Sequence, residues 1–367
     1  MDYFKKFHSN TLAGSGSQHF FRNDENNITR SRVFYKIFEG GDYPYSFLFS
    51  NTIDSTFSDG SVSHKNLVVD SWVIEEMLVG VTESCDKTSF EAPREMKNIL
   101  FSGNKRKIVN PGELFFSDPM QIEGKKGEYI CLEIAFSGGM LPYHEESIIS
   151  SFVFEDGEWV TSKKHPFPSM VGIERKVKKK IGFLGDSITQ GIGTTFNSYA
   201  HWNAVFAERL GRDYSYWNLG LGYGRADDAA SDGAWLYKAK QNDVVFVCYG
   251  VNDILQGYDA ETIKNNLQII VDKLTSAGTD VVIQTVPPFN YSDVHKVIWE
   301  NVNGFIKNDI KNTSMVFDCV PCLSVGDERP HMAKYGGHPN DEGCRVWGEA
   351  LFEAVISSKV LNGGINE

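Results

Sequence analysis

The stretch Lys179-Lys-Ile-Gly-Phe-Leu-Gly-Asp-Ser-Ile-Thr-Gln-Gly-Ile-Gly193 decides how the chain is read. Ile181 to Leu184 form a short apolar run of the kind that makes a buried strand. Gly185 permits a sharp turn, and Ser187 follows two residues later, where a helix is expected to begin. A serine so placed stands at the carboxyl edge of a sheet, where open α/β folds carry their sites. Its backbone N–H faces the same space, so a nucleophile and one oxyanion donor arrive together. Gly185-Asp-Ser-Ile188 also suits an ordinary turn, because Asp and Ser are favoured helix caps for reasons unrelated to catalysis. The rest of the chain has to separate the two.

Downstream, the pattern alternates. An amphipathic helix is expected over 198–210, with Trp202, Val205, Phe206 and Leu210 on its apolar face. A strand follows at 214–218, a helix at 226–240 and a fully apolar strand at 243–248. Then come a helix over 260–276, a strand at 280–285, a helix near 293–310, a strand at 314–317 and a last helix capped by Asn340. Strands alternating with helices give a parallel sheet covered on both faces.

Upstream the texture differs. Residues 1 to about 32 are polar and read as a loose arm or an irregular first strand. From Arg32 to residue 150 the chain is a series of short apolar or alternating runs broken by Gly, Asp, Asn and Ser. In Tyr129-Ile-Cys-Leu-Glu-Ile-Ala-Phe136, period two puts Ile130, Leu132, Ile134 and Phe136 on one face. No helical period of useful length occurs there, so this half is expected to be an all-β sandwich. The expected division is residues 1–175 and 176–367, within a change of rhythm near 170–178.

The length of 367 residues favours two domains, and the formal charge of −12 argues against a nucleic-acid partner. The N-terminus has no apolar h-region and no run is long enough to span a bilayer, so a cytoplasmic, non-membrane protein is expected. The six cysteines do not make a disulfide scaffold in a chain this long. Cys319-Val-Pro-Cys322 has the spacing of half a zinc site, but no second pair matches it. The plainer reading is a strand end followed by a proline turn.

Three further blocks stand at predicted strand ends or before the last helix: Trp217-Asn-Leu-Gly-Leu-Gly-Tyr-Gly-Arg225, Tyr249-Gly-Val-Asn-Asp253 and Tyr335-Gly-Gly-His-Pro-Asn340. With Gly185-Asp-Ser-Ile188 they resemble, in order, the sequence blocks of the SGNH, or GDSL, hydrolases, over residues of about 180–357. The resemblance implies a flavodoxin-like hydrolase domain behind a jelly-roll-like sandwich. It implies Ser187 as nucleophile and His338 as general base. The N–H of Ser187, the N–H of Gly222 (with Gly224 as second choice) and the side chain of Asn252 would form the oxyanion hole. No metal or organic cofactor is implied. Asp186 reads as a loop-fixing residue. Arg225, Trp235, Tyr249 and Pro287-Pro-Phe289 fall near strand ends, where packing or pocket lining are both open. His331 is the nearest rival to His338, and His201 and His295 read as structural.

The chain departs from the family at two points: the spacing of the Trp217–Arg225 block is one residue shorter than the usual form, and the residue expected before the histidine differs. An aspartate is usual three residues before the histidine, and Tyr335 stands there. Asp327 and Asp341 are near in sequence, and a Ser–His dyad is the other option. Two-domain acetyl-carbohydrate esterases of the SGNH class are similar in layout. The expected activity is therefore hydrolysis of small acyl esters, acetyl first, with O-acetylated carbohydrates as the substrate class. The alternatives are an acyltransferase using the same serine and a catalytically lapsed glycan-binding protein. A sandwich that builds a homo-oligomer is a third option.

Overall fold

In the computed structural model, residues 2–24, 27–55, 65–86, 96–144, 146–324, 333–334 and 337–361 are described. The chain divides into two compact units, one ending at Lys176 and the other beginning at Val177.

The apolar run 181–184 lies in the strand Lys180–Gly185, inside a five-stranded parallel sheet. Ser215–Gly220 pairs on one side of it and Val244–Cys248 on the other, followed by Asp280–Gln284 and Met315–Phe317. Val244–Cys248 is buried throughout, as its unbroken apolar sequence requires of a strand with both faces covered. Each such fully buried Val or Phe contributes about 1.5–3 kcal/mol.

The helices differ from expectation at their ends. The helix expected from Ser198 begins at Trp202, with His201 as its N-cap. Asn197 and Tyr199 adopt left-handed backbone, at φ 57° and 56°, which ends any regular helix before it starts. The single helix expected over 226–240 is two, Ala226–Ala230 and Ala234–Ala239. Asp232, at φ 63°, and Gly233 break it. Asn340 caps Asp341–Ser357 by accepting from the Gly343 N–H at 2.9 Å.

The first unit is β-rich. One antiparallel sheet runs Phe7–Ser9, Met170–Glu174, Gly41–Ser50, Leu114–Phe116, with Met120–Gly124 also on Gly41–Ser50. A second runs Glu158–Thr161, Ser151–Glu155, Thr29–Lys36, Tyr129–Ser137, Trp72–Thr82, Lys97–Asn98, with Lys107–Val109 also on Trp72–Thr82, and two smaller two-stranded sheets accompany them. Among the described residues no helix occurs between 32 and 150. Both faces of Tyr129–Ser137 are buried. Glu133 is accommodated there by Arg30 at 3.1 Å and Arg32 at 2.9 Å.

The polar start of the chain is not a loose arm. Phe7–Ser9 is a strand against Met170–Glu174, and most of residues 7–18 are buried. Polar side chains are admitted because they are bonded: Asn10 donates to Glu39 O and to the Tyr45 hydroxyl, and accepts from the Glu39 N–H. Composition alone reads such a segment as exposed. No helix among the described residues is long and apolar enough to cross a membrane.

Candidate active site

Ser187 opens the short helix Ser187–Gln190 directly after the strand Lys180–Gly185. Asp186 is its N-cap, accepting from the Ile188 N–H at 2.9 Å. Burial pushes the Asp186 carboxyl up to about 7 against that bond, and the neighbouring charge of Asp253 adds to the shift. The helix lies close over the strand ends. A Cβ at Gly185 would stand 2.1 Å from Thr189 Oγ1 and 2.6 Å from Cys248 O; one at Gly220 would stand 2.2 Å from the Gln190 backbone nitrogen. Only glycine permits that approach, and with it the height at which Ser187 emerges.

His338 reaches the serine from the other end of the sequence. Its Nε2 is 2.8 Å from Ser187 Oγ, across a separation of 151 residues. It lies in the two-residue strand His338–Pro339, just before the last helix. The ring of Phe289 meets it edge-to-face, with centroids 5.3 Å apart. The Phe289 segment therefore borders the pair, and its sequence position gave the only signal for that.

The other two blocks meet beside Ser187. The stretch after Ser215–Gly220 folds into a turn in which the Gly224 N–H donates to Leu221 O at 3.0 Å, while the Leu221 N–H donates to Gly185 O at 3.1 Å. Gly224 thus commits its N–H inside the turn, and Gly222 lies at the turn's tip with Tyr223. Asn252 lies in Val251–Leu255, directly after the Val244–Cys248 strand, and its amide donates to Gly224 O at 3.0 Å. An amide nitrogen carries two hydrogens, so this bond fixes the direction of the second.

The remaining residues singled out in the sequence have packing roles here. Arg225 is almost fully buried and forms a two-pronged pair with Asp228, Nε at 3.1 Å and Nη2 at 2.8 Å. Trp235 donates to Leu219 O at 2.8 Å, and Tyr249 is buried edge-on to it. Asp341 accepts from Thr195 at both carboxylate oxygens, so it is engaged away from the histidine. Asp327, His331 and Tyr335 lie outside the described residues. His201 is buried, and burial pushes its pKa down to about 4. His295 is in the helix Asp293–Asn308. Cys319 caps the single-turn helix Val320–Leu323, which contains the proline, and its thiol donates to Thr285 O at 3.2 Å. Among the described residues no cluster of three or more His, Cys, Asp or Glu is arranged to hold a metal ion.

Residues 183–346 match the model of the GDSL-like lipase/acylhydrolase family. This part of the chain is a GDSL-like lipase/acylhydrolase domain. The matched span carries the Gly185–Ile188 block, the glycine and asparagine blocks, and His338. Solved structures similar to the GDSL-like domain include a member of the lipolytic protein G-D-S-L family from Veillonella parvula DSM 2008, 20% identical over 48% of this chain and 98% of that one, with a TM-score of 0.41. A carbohydrate esterase family 3 structure from Talaromyces cellulolyticus is 19% identical over 50% of this chain and 99% of its own, with a TM-score of 0.40. A family two carbohydrate esterase from Cellvibrio japonicus is 12% identical over 97% of this chain and 98% of its own, with a TM-score of 0.39. A search of curated proteins finds no match.

Proposed function

We propose that the protein is a serine esterase that hydrolyses small acyl esters, acetyl first, through an acyl-enzyme on Ser187. The observation that carries this reading is the 2.8 Å contact between Ser187 Oγ and His338 Nε2. At that distance a neutral imidazole takes the serine proton as the oxygen attacks the ester carbonyl, and returns it to the leaving alkoxide. The tetrahedral oxygen is held by the N–H of Ser187, the N–H of Gly222 and the second N–H of Asn252. Gly222 is preferred to Gly224 because the turn takes the Gly224 N–H. An amide and two backbone donors add no titrating charge to the hole. Water attacking the acyl-enzyme, with His338 again as base, completes the cycle without metal or cofactor.

O-acetylated carbohydrate is the proposed substrate class; it rests on the resemblance of the two-domain layout to acetyl-carbohydrate esterases. The strand order supports the flavodoxin-like reading of the second domain, since in chain order its five strands stand 2-1-3-4-5. Two antiparallel sheets support the sandwich reading of the first, and the division expected at 175/176 lies one residue from the boundary between the two compact units.

The test is release of acetate from an activated acetyl ester and from acetylated oligosaccharides. Ser187→Ala and His338→Ala should each lower kcat by a factor on the order of 10³ or more, with the fold retained. Full activity in folded Ser187→Ala protein would falsify the reading.

A further inference from the structure

Asp253 follows the oxyanion asparagine and has no part in the chemistry above. It is fully buried. Its Oδ2 accepts from the backbone N–H of Ala226 at 3.0 Å. Ala226 is the first residue of the helix that leaves the glycine turn. The Asn252 side chain binds Gly224 O two residues earlier. Two consecutive side chains of one helix, Val251–Leu255, therefore grip a single turn at 224 and at 226.

The local chain cannot supply this grip by itself. The first N–H groups of a helix lack intrahelical partners. Asp228 satisfies one by accepting from the Arg225 N–H at 3.0 Å, and Arg225 as the cap residue bonds to Asp228 rather than forward to Ala226. The Ala226 N–H is thus left to a carboxylate that arrives from a different strand. The cap at Ala226 thus joins the amide–carbonyl bond at Gly224 in tying the turn that carries Gly222 to the Asn252 element.

We propose that Asp253 is a positioning residue of the oxyanion hole: by capping Ala226 it fixes the Gly222 turn against Asn252, so that donors from two different strands converge on one oxygen. The inference rests on the reading of Ser187, Gly222 and Asn252 given above. Hydrogen-bond donors of this kind act only when aimed at the position of the developing oxyanion, and a small misplacement is felt in the transition state rather than in ground-state binding.

The experiment measures kcat and KM for an activated acetyl ester, with melting curves, in three variants. Asp253→Ala removes the acceptor. Ala226→Pro removes the donor from the other side of the same bond, at a first helical position where proline is well tolerated and after a residue already in extended backbone, φ −115° and ψ 157°. Asp253→Asn keeps an acceptor oxygen; its new NH₂ replaces Oδ1, which receives no hydrogen bond among the described residues. Expected are losses in kcat of about a hundredfold for the first two, the scale of losing one oxyanion donor. KM should stay within about twofold, and Asp253→Asn should remain within about fivefold of wild type. The affinity of a boronic acid that forms a tetrahedral adduct on Ser187 should fall in parallel with kcat/KM. Folded Asp253→Ala or Ala226→Pro protein with wild-type kcat overturns the proposal, as does a loss carried by KM alone. If neither of those two folds, Asp253→Asn decides: wild-type kcat upholds the hydrogen-bond role, and a hundredfold loss in folded protein overturns it. Failure of the esterase reading looks different, because wild type itself would then release no acetate.

Discussion

Asp341 holds Thr195 by both carboxylate oxygens: Oδ1 accepts the Thr195 N–H at 2.7 Å and Oδ2 accepts its hydroxyl at 2.6 Å. The aspartate nearest the histidine on its C-terminal side is therefore a tie between the last helix and the loop that follows the helix Ser187–Gln190. A carboxylate that oriented and charged-matched the base would set the pH at which the base titrates. Asp341→Asn should instead leave the acid limb of the kcat/KM profile where it is. It should lower stability by about 1 kcal/mol, the scale of an exposed side-chain hydrogen bond. A displacement of that limb by a full pH unit would make Asp341 the orienting acid after all.

The Arg225–Asp228 pair lies almost wholly out of water, at 2% and 0% side-chain exposure. Removing one member leaves the other charged and unpaired. Arg225→Met should cost about 3–5 kcal/mol by chemical denaturation. Arg225→Met with Asp228→Leu should recover much of that loss, because the desolvation of both charges disappears together. If the double variant is as unstable as the single one, the turn depends on the polar pair for its shape and not on charge balance.

Stability against pH carries two opposing slopes. Asp186 titrates near 7 in the fold, against 3.8 ordinarily, chiefly because it is buried. Between those values the folded state keeps a proton that the unfolded chain releases. Its contribution is full below about pH 3.8 and is lost as pH rises through 7. His201 is pushed by burial from 6.5 down to about 4. Its contribution is full above about pH 6.5 and is lost as pH falls through 4. Denaturant midpoints between pH 4 and 7 should therefore rise more steeply with pH in Asp186→Asn than in wild type, and less steeply in His201→Asn. Asparagine keeps the helix cap at 186, so the slope isolates the proton. Parallel curves for Asp186→Asn and wild type would place the carboxyl's titration outside this window.

The candidate site was legible where a distinctive residue stands at a predicted strand end or before a predicted helix. Ser187 and Asn252 each follow an apolar run that is plain in the sequence, His338 precedes a helix whose cap is plain, and the structure brings Ser187 and His338 within a hydrogen bond. What the sequence hides is partnership across strands. Asp253 stands in the open beside Asn252, yet its partner Ala226 is 27 residues away and contributes only a backbone N–H, which no side-chain pattern marks. Arg225 reads as packing first, with a pocket role open, until its buried pair with Asp228 three residues on is seen. The first segment of the chain misleads for a different reason. Polar residues such as Asn10 are buried there because the fold answers them with bonds, and composition counts residues without counting bonds. Helix ends at 198 and across 231–233 went astray where non-glycine residues take left-handed backbone, which propensity does not foresee.

Gly185, Gly220 and Cys248 stand in one row of the parallel ladder, Gly185 opposite both of the others. The chain leaves the sheet at the same height in three adjacent strands, and each exit delivers one of the groups read as oxyanion donors. Length changes in this domain therefore fall into two kinds. An insertion beyond the row only lengthens a loop, reshaping what can approach the serine while its height stays fixed. A single-residue deletion before the row shifts one exit by a whole ladder step, about 3.3 Å, more than the length of the hydrogen bond it must make. Substrate range and catalytic geometry are thus written in different segments of the same chain, and the boundary between them is that row.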